Sequence, residues 1–118
     1  AMGAFYDPDL NAPMGVSIPV DLKTCVIKKD KWDAWLNHDP VHMIGREDVQ
    51  KNLENLRGLY IDCGFRDQYN LHFGARQLVE KLENLGITHT YEEFDDTHSS
   101  IDYRMDISLP FLYRSLTE

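Results

Sequence analysis

The chain reads as an α/β protein built on a parallel strand–helix–strand–helix unit. Three observations predict it. Two short apolar runs, 58–63 and 87–94, each pass into a polar loop. The residues between them carry a helical repeat long enough for a crossover helix, and such a crossover makes the flanking strands parallel in nearly all cases. A last apolar, helix-like stretch follows the second loop. Ligands and catalytic groups in parallel sheets gather beyond the C-terminal strand ends. Both polar loops, 64–68 and 95–100, lie at that end.

The first strand, 58–63, is apolar apart from Asp62 and suits burial on both faces. The helix expected over 69–85 has Leu71, Ala75, Leu78, Val79, Leu82 and Leu85 on one face, and Asn84-Leu85-Gly86 supplies its stop. The second strand is expected over 87–94. A terminal helix is expected over 102–116, with Pro110 kinking or delaying it. Upstream, Pro8, Pro13 and Pro19 with Asp7, Asp9 and Asn11 mark residues 1–27 as an irregular, extended segment. Two short helices follow. One spans 29–37 with Trp32, Trp35 and Leu36 on one face and ends before Pro40, because a residue preceding proline disfavours the helical region. The other spans 47–56 with Val49, Leu53 and Leu56, closed by Gly58 as a C-cap. The expected organisation is therefore a variable segment, 1–57, and an α/β unit, 58–118.

The 118 residues suffice for one small domain, and 42% hydrophobic content excludes disorder. A formal net charge of −8 with scattered Lys and Arg argues against nucleic acid. No run reaches the roughly 18 apolar residues of a membrane helix, and no signal peptide is visible. Localisation is left open, with the cytoplasm favoured. Cys25 and Cys63 set no disulfide framework, and Cys63 reads as a buried thiol. No metal or cofactor is expected. In His38-Asp39-Pro40-Val41-His42 the proline breaks the helix that would align two imidazoles on a metal. Trp32 and Trp35 read as packing residues, with a sugar or lipid platform as the alternative.

The chemistry lies in the two loops. Asp67 sits four residues past Cys63, and His98 four past Phe94. Loops leaving one sheet edge on neighbouring strands would bring acid and imidazole within about one strand spacing, roughly 5 Å. A carboxylate on one ring nitrogen fixes a histidine's tautomer and stabilises its charged form. Each residue also has a plain structural reading: Asp67 as a helix N-cap, His98 as loop filler. Asp62, Asp95 and Asp96 are rival acids, the first on a sheet face and the others too close in sequence to His98.

Tyr60-Ile61-Asp62-Cys63-Gly64-Phe65-Arg66-Asp67, the helix from Gly74-Ala75-Arg76-Gln77-Leu78 to Leu85-Gly86, and Tyr91-Glu92-Glu93-Phe94 to His98 with Tyr103-Arg104 resemble the C-terminal part of the α/β hydrolase superfamily. Within it they most resemble the esterases related to esterase D and enterochelin esterase. The resemblance covers residues 58–116 well and 1–57 loosely. It implies the C-terminal portion of an α/β hydrolase fold, Asp67 as triad acid, His98 as triad base, and Trp32 and Trp35 near an acyl pocket. The family's Gly-x-Ser-x-Gly elbow is missing. Gly15-Val16-Ser17-Ile18-Pro19 lacks the second glycine, and the oxyanion-hole segment has no counterpart.

The expectation is the acid- and histidine-bearing segment of a serine esterase, inactive alone. Its partners would be the N-terminal part of the same enzyme or a second copy of the chain, and a small ester substrate. The alternative is a non-catalytic binding or assembly module, oligomeric through its open sheet edges. A third reading is a small enzyme using Asp67 and His98 as an acid–base pair.

Overall fold

The computed structural model describes residues 2–118. The chain divides into two compact units, one ending at Met43 and one running from Ile44 to Glu118. The sequence reading put its division after residue 57. The difference comes from Ile44 and Leu53, which pack with Leu59, Ile61, Leu78, Leu82 and Ile87 and so bring the helix before the first strand into the second unit.

The first unit is more ordered than the extended segment its prolines suggested. Helix α1 (Met2–Tyr6) opens it, and α2 (Lys29–Leu36) and α3 (Pro40–Met43) follow. Between them, single antiparallel bridges join Pro8 to Val16 and Val20 to Ile27. Aspartates close both turns. Asp9 accepts from the Asn11 amide and the Ser17 hydroxyl, and Asp21 accepts from the Lys23 and Thr24 amides. These side chains supply the acceptors that a turn otherwise lacks. Pro40 ends α2 as expected but also starts α3, where its missing N–H and fixed φ suit the first helical position. Tyr6 packs edge-on to Trp35 and flat on His38, so Trp35 is a packing residue.

The second unit contains α4 (Glu47–Glu54), β1 (Tyr60–Gly64), α5 (Leu71–Asn84), β2 (Thr90–Phe94), a 3₁₀ turn over Asp102–Arg104 and α6 (Met105–Thr117). Strands β1 and β2 are parallel, in register from Tyr60 opposite Thr90 to Gly64 opposite Phe94. The predicted α/β class and the strand–helix–strand–helix order therefore stand as a mixed fold with a two-stranded parallel sheet.

Alternation along the strands sends residues to opposite faces. One face carries Ile61, Cys63, Tyr91 and Glu93, and α5 lies on it through Leu78, Leu82 and an Arg76–Glu93 ion pair. The other carries Tyr60, Asp62, Glu92 and Phe94. Arg104 binds it, bonding Asp62 at 2.9 Å, Glu92 at 2.6 Å and the Tyr60 hydroxyl at 2.9 Å, with its guanidinium over the Phe94 ring. Phe111 of α6 packs beside Tyr60. Rival acid Asp62 is thus consumed in holding the chain after β2 against the sheet.

Gly86 ends α5 with φ at +69°. The Ile87 amide donates to the Leu82 carbonyl and the Gly86 amide to that of Glu83, while Leu82 and Ile87 are both buried. This is a Schellman stop with its apolar clasp. Gly58 has a different role from the predicted C-cap. Helix α4 ends earlier, at Asn55, and a side chain at Gly58 would collide with Ser115 and Phe111 of α6. Pro110 sits inside α6 and does not delay it. Of the apolar face expected on the long helix, Val79 and Leu82 are buried, whereas Leu71 and Leu85 at its ends are exposed. Besides Pro19, four apolar side chains are buried among the described residues: Ile44, Val79, Leu82 and Ile87. Helix α6 buries none, leaving Ile107, Leu109, Leu112, Tyr113 and Leu116 open to solvent.

Candidate active site

Beyond β1 the chain turns through Phe65–Asn70, and beyond β2 through Asp95–Ser100. The strand ends are Gly64 and Phe94, directly opposite each other. Asp67 therefore lies three residues past its strand and His98 four past its own, where the sequence reading had aligned Cys63 with Phe94. Gly64 lets the two turns approach. A Cβ there would overlap the backbone carbonyl oxygens of Asp96 and Thr97. The Phe65 amide donates to the Phe94 carbonyl, and the Arg66 amide to that of Asp96.

The structure brings Asp67 and His98 together. Asp67 Oδ2 lies 2.9 Å from His98 Nδ1. Asp67 Oδ1 accepts from the Tyr69 amide at 2.7 Å and the Leu71 amide at 3.5 Å. One carboxylate oxygen thus caps the entry to α5, and the other faces the imidazole. Asp67 is 4% exposed. Burial by itself would raise its carboxyl pKa. The His98 bond and the Tyr69 and Leu71 amides outweigh burial and hold it below the usual aspartate value. The Asp67 carboxylate is therefore kept ionised.

The His98 side chain is 47% exposed, and the Tyr69 ring stands perpendicular to the imidazole with the centroids 5.1 Å apart. Its Nε2 has no protein partner among the described residues. A proton on Nδ1, donated to Asp67, leaves a lone pair on Nε2 free to accept.

The other candidates are engaged elsewhere. Asp95 pairs with Arg66, and Asp96 accepts from the Thr97 amide and the Tyr103 hydroxyl. Ser17 is buried in the first unit with its hydroxyl given to Asp9. Both cysteines are free. Burial, then the charges of Asp67 and Glu93, push the Cys63 thiol up, which disfavours the thiolate. No group of three or more His, Cys, Asp or Glu is arranged to hold a metal among the described residues. No described helix is long and apolar enough to cross a membrane.

Sequence reasoning passed over three neighbours. Gln68 bonds the His98 loop, Tyr69 flanks the imidazole, and Arg66 ties Asp95. Nothing in their spacing marks them, since each acts through a contact some thirty positions away in sequence or through its ring.

The chain matches no protein-family model, no curated protein and no solved structure.

Acid should loosen this unit. The folded Asp67, Glu92, Glu93 and Asp96 carboxyls all lie below their ordinary values. For Glu93, the Arg76 and Tyr91 bonds hold it at about 2, against 4.5. A depressed folded pKa stabilises above the unfolded value and is lost as pH falls through the folded one. Urea midpoints should therefore be flat above about pH 5 and fall steadily from about pH 4.5 towards 2. A midpoint that rises across that interval would contradict these pairings.

Proposed function

We propose that this chain carries the acid and base of a serine-type hydrolase of carboxylic esters or related acyl bonds, and that its second unit corresponds to the C-terminal part of an α/β hydrolase fold. The reading rests on one observation: a buried Asp67 on Nδ1 of a half-exposed His98, at the C-terminal edge of parallel strands. The resemblance carried by residues 58–116 implies the same two roles for these two residues.

The chemistry follows from that geometry. A serine hydroxyl from another segment loses its proton to His98 Nε2 as its oxygen bonds the substrate carbonyl carbon. The carbonyl π pair moves onto oxygen, giving a tetrahedral oxyanion. Asp67 stabilises the imidazolium and is not itself protonated. Collapse breaks the bond to the alcohol, which takes the proton from Nε2. Water then repeats the sequence on the acyl-serine and releases the acid, leaving His98 neutral.

The nucleophile is supplied from outside these 118 residues, because no Gly-x-Ser-x-Gly turn occurs in them. The open edges of the sheet and the uncovered apolar side chains of α6 suit a site completed by the N-terminal part of the same enzyme. The same uncovered side chains favour a second reading, a non-catalytic assembly module that associates with another copy of itself. Hydrolysis of a short-chain p-nitrophenyl ester separates the two. The enzyme that carries the nucleophile should turn the ester over in a His98-dependent way, and the 118 residues alone should not. Turnover indifferent to His98 would reject the hydrolase reading.

A further inference from the structure

We propose that Gln68 is a positioning residue that locks the histidine loop onto the acid loop. Its Oε1 accepts the backbone N–H of His98 at 3.0 Å, and its Nε2 donates to the Ser99 hydroxyl at 3.3 Å. A backbone N–H can only donate, which fixes the orientation of the Gln68 amide. The inference rests on the acid–base reading above and names what holds that pair in register.

The remaining bonds of the loop show why such a lock is needed. Asp96 Oδ1 bonds the Thr97 amide and Thr97 Oγ1 bonds the Ser99 amide, both within the loop itself. The Arg66 bonds that cross from the acid loop reach Asp95 and Asp96, before the histidine. Ser100, just after it, has a left-handed backbone, φ +59°, a conformation that must be held by its surroundings. Among the described residues, the crossing hydrogen bonds to residues 98 and 99 are therefore those of Asp67 and Gln68. Asp67 holds the ring, and Gln68 holds the main chain that carries it. Adjacency in sequence makes the two act as one clamp. The lock takes one acceptor and one donor at a fixed reach, which a primary amide on a two-carbon stem supplies.

The spectroscopic consequence is specific. A ring held at Nδ1 by Asp67 carries its proton there in the neutral form, which ¹⁵N shifts of the two ring nitrogens report. In Gln68→Met, which keeps the shape and loses both polar atoms and so both crossing bonds, the ratio of Nδ1–H to Nε2–H tautomer at His98 should fall by at least about fivefold, a single hydrogen bond being worth about that factor. Gln68→Glu retains an acceptor at the same reach and should recover most of the wild-type ratio. Gln68 is exposed, so neither substitution disturbs the core. A ratio unchanged in Gln68→Met overturns the proposal. Amide exchange in the unsubstituted chain provides an independent check. The His98 amide should exchange about fivefold more slowly than that of Ser100, and equal rates overturn the lock. If the unsubstituted chain fails to favour the Nδ1–H tautomer, the Asp67–His98 pair itself falls, and the proposed function with it. A retained tautomer with no dependence on Gln68 removes only the lock.

Discussion

Replacing His98 with alanine in the enzyme that carries the nucleophile should lower kcat by about 10⁶-fold, the loss seen when the base of a serine triad is removed. On the proposed reading the imidazole would take the serine proton at Nε2, the ring nitrogen with no protein partner among the described residues. The rate that remains would come from substrate binding and oxyanion stabilisation by the other segments. Folding should survive, because the side chain is half exposed and its ring contacts are one carboxylate oxygen and the Tyr69 ring. A near-wild-type circular dichroism spectrum with turnover lost is the expected pair of results, and the urea midpoint should fall modestly because buried Asp67 loses one of its partners. Retained turnover would remove His98 from the mechanism.

Asp67→Asn should cost about 10⁴-fold in kcat, less than loss of the base. The substitution keeps the size of the side chain and the acceptor that caps the entry to α5. It alters what Nδ1 meets. An amide NH₂ directed at Nδ1 favours the tautomer with its proton on Nε2, and that nitrogen can then no longer accept from serine. It also withdraws the negative charge that stabilises the imidazolium. The KM should move little, since Asp67 is buried and only 4% of its surface is open to a ligand. A loss confined to KM, or none, would assign Asp67 to capping alone.

Much of the second unit was legible in its sequence because each signal there is local. The helical repeat from Leu78 to Leu82 and the Gly86 stop follow from backbone and burial rules that act within a few residues, whereas the strands start later than expected, at Tyr60 and Thr90, and their side chains are only partly buried. Asp67 and His98 were legible for a related reason: parallel strands deliver their loops to one edge, so two residues a few positions past two strand ends meet almost regardless of detail. The register differed by one residue because nothing in Cys63-Gly64 marks which of them pairs last; the carbonyls of Asp96 and Thr97 crossing over Gly64 decide it. Gly58 was misread for the same reason, its lack of a side chain serving α6 some fifty residues later. The contacts of Arg104 and Gln68 stayed hidden because their partners lie across the fold. In the first unit the three prolines suggested extension, while Asp9 and Asp21 close turns through amides that spacing alone does not reveal.

The central claim is that Asp67 and His98 activate a serine lying outside these 118 residues. Labelling with a fluorophosphonate, followed by mass mapping of the modified residue, tests it most directly. The enzyme carrying the nucleophile should take one label, on a serine beyond residues 1–118, and His98→Ala should slow labelling by several orders of magnitude. The 118 residues alone should take none. A His98-dependent label on Ser17, Ser99 or any other serine within this chain would contradict the account.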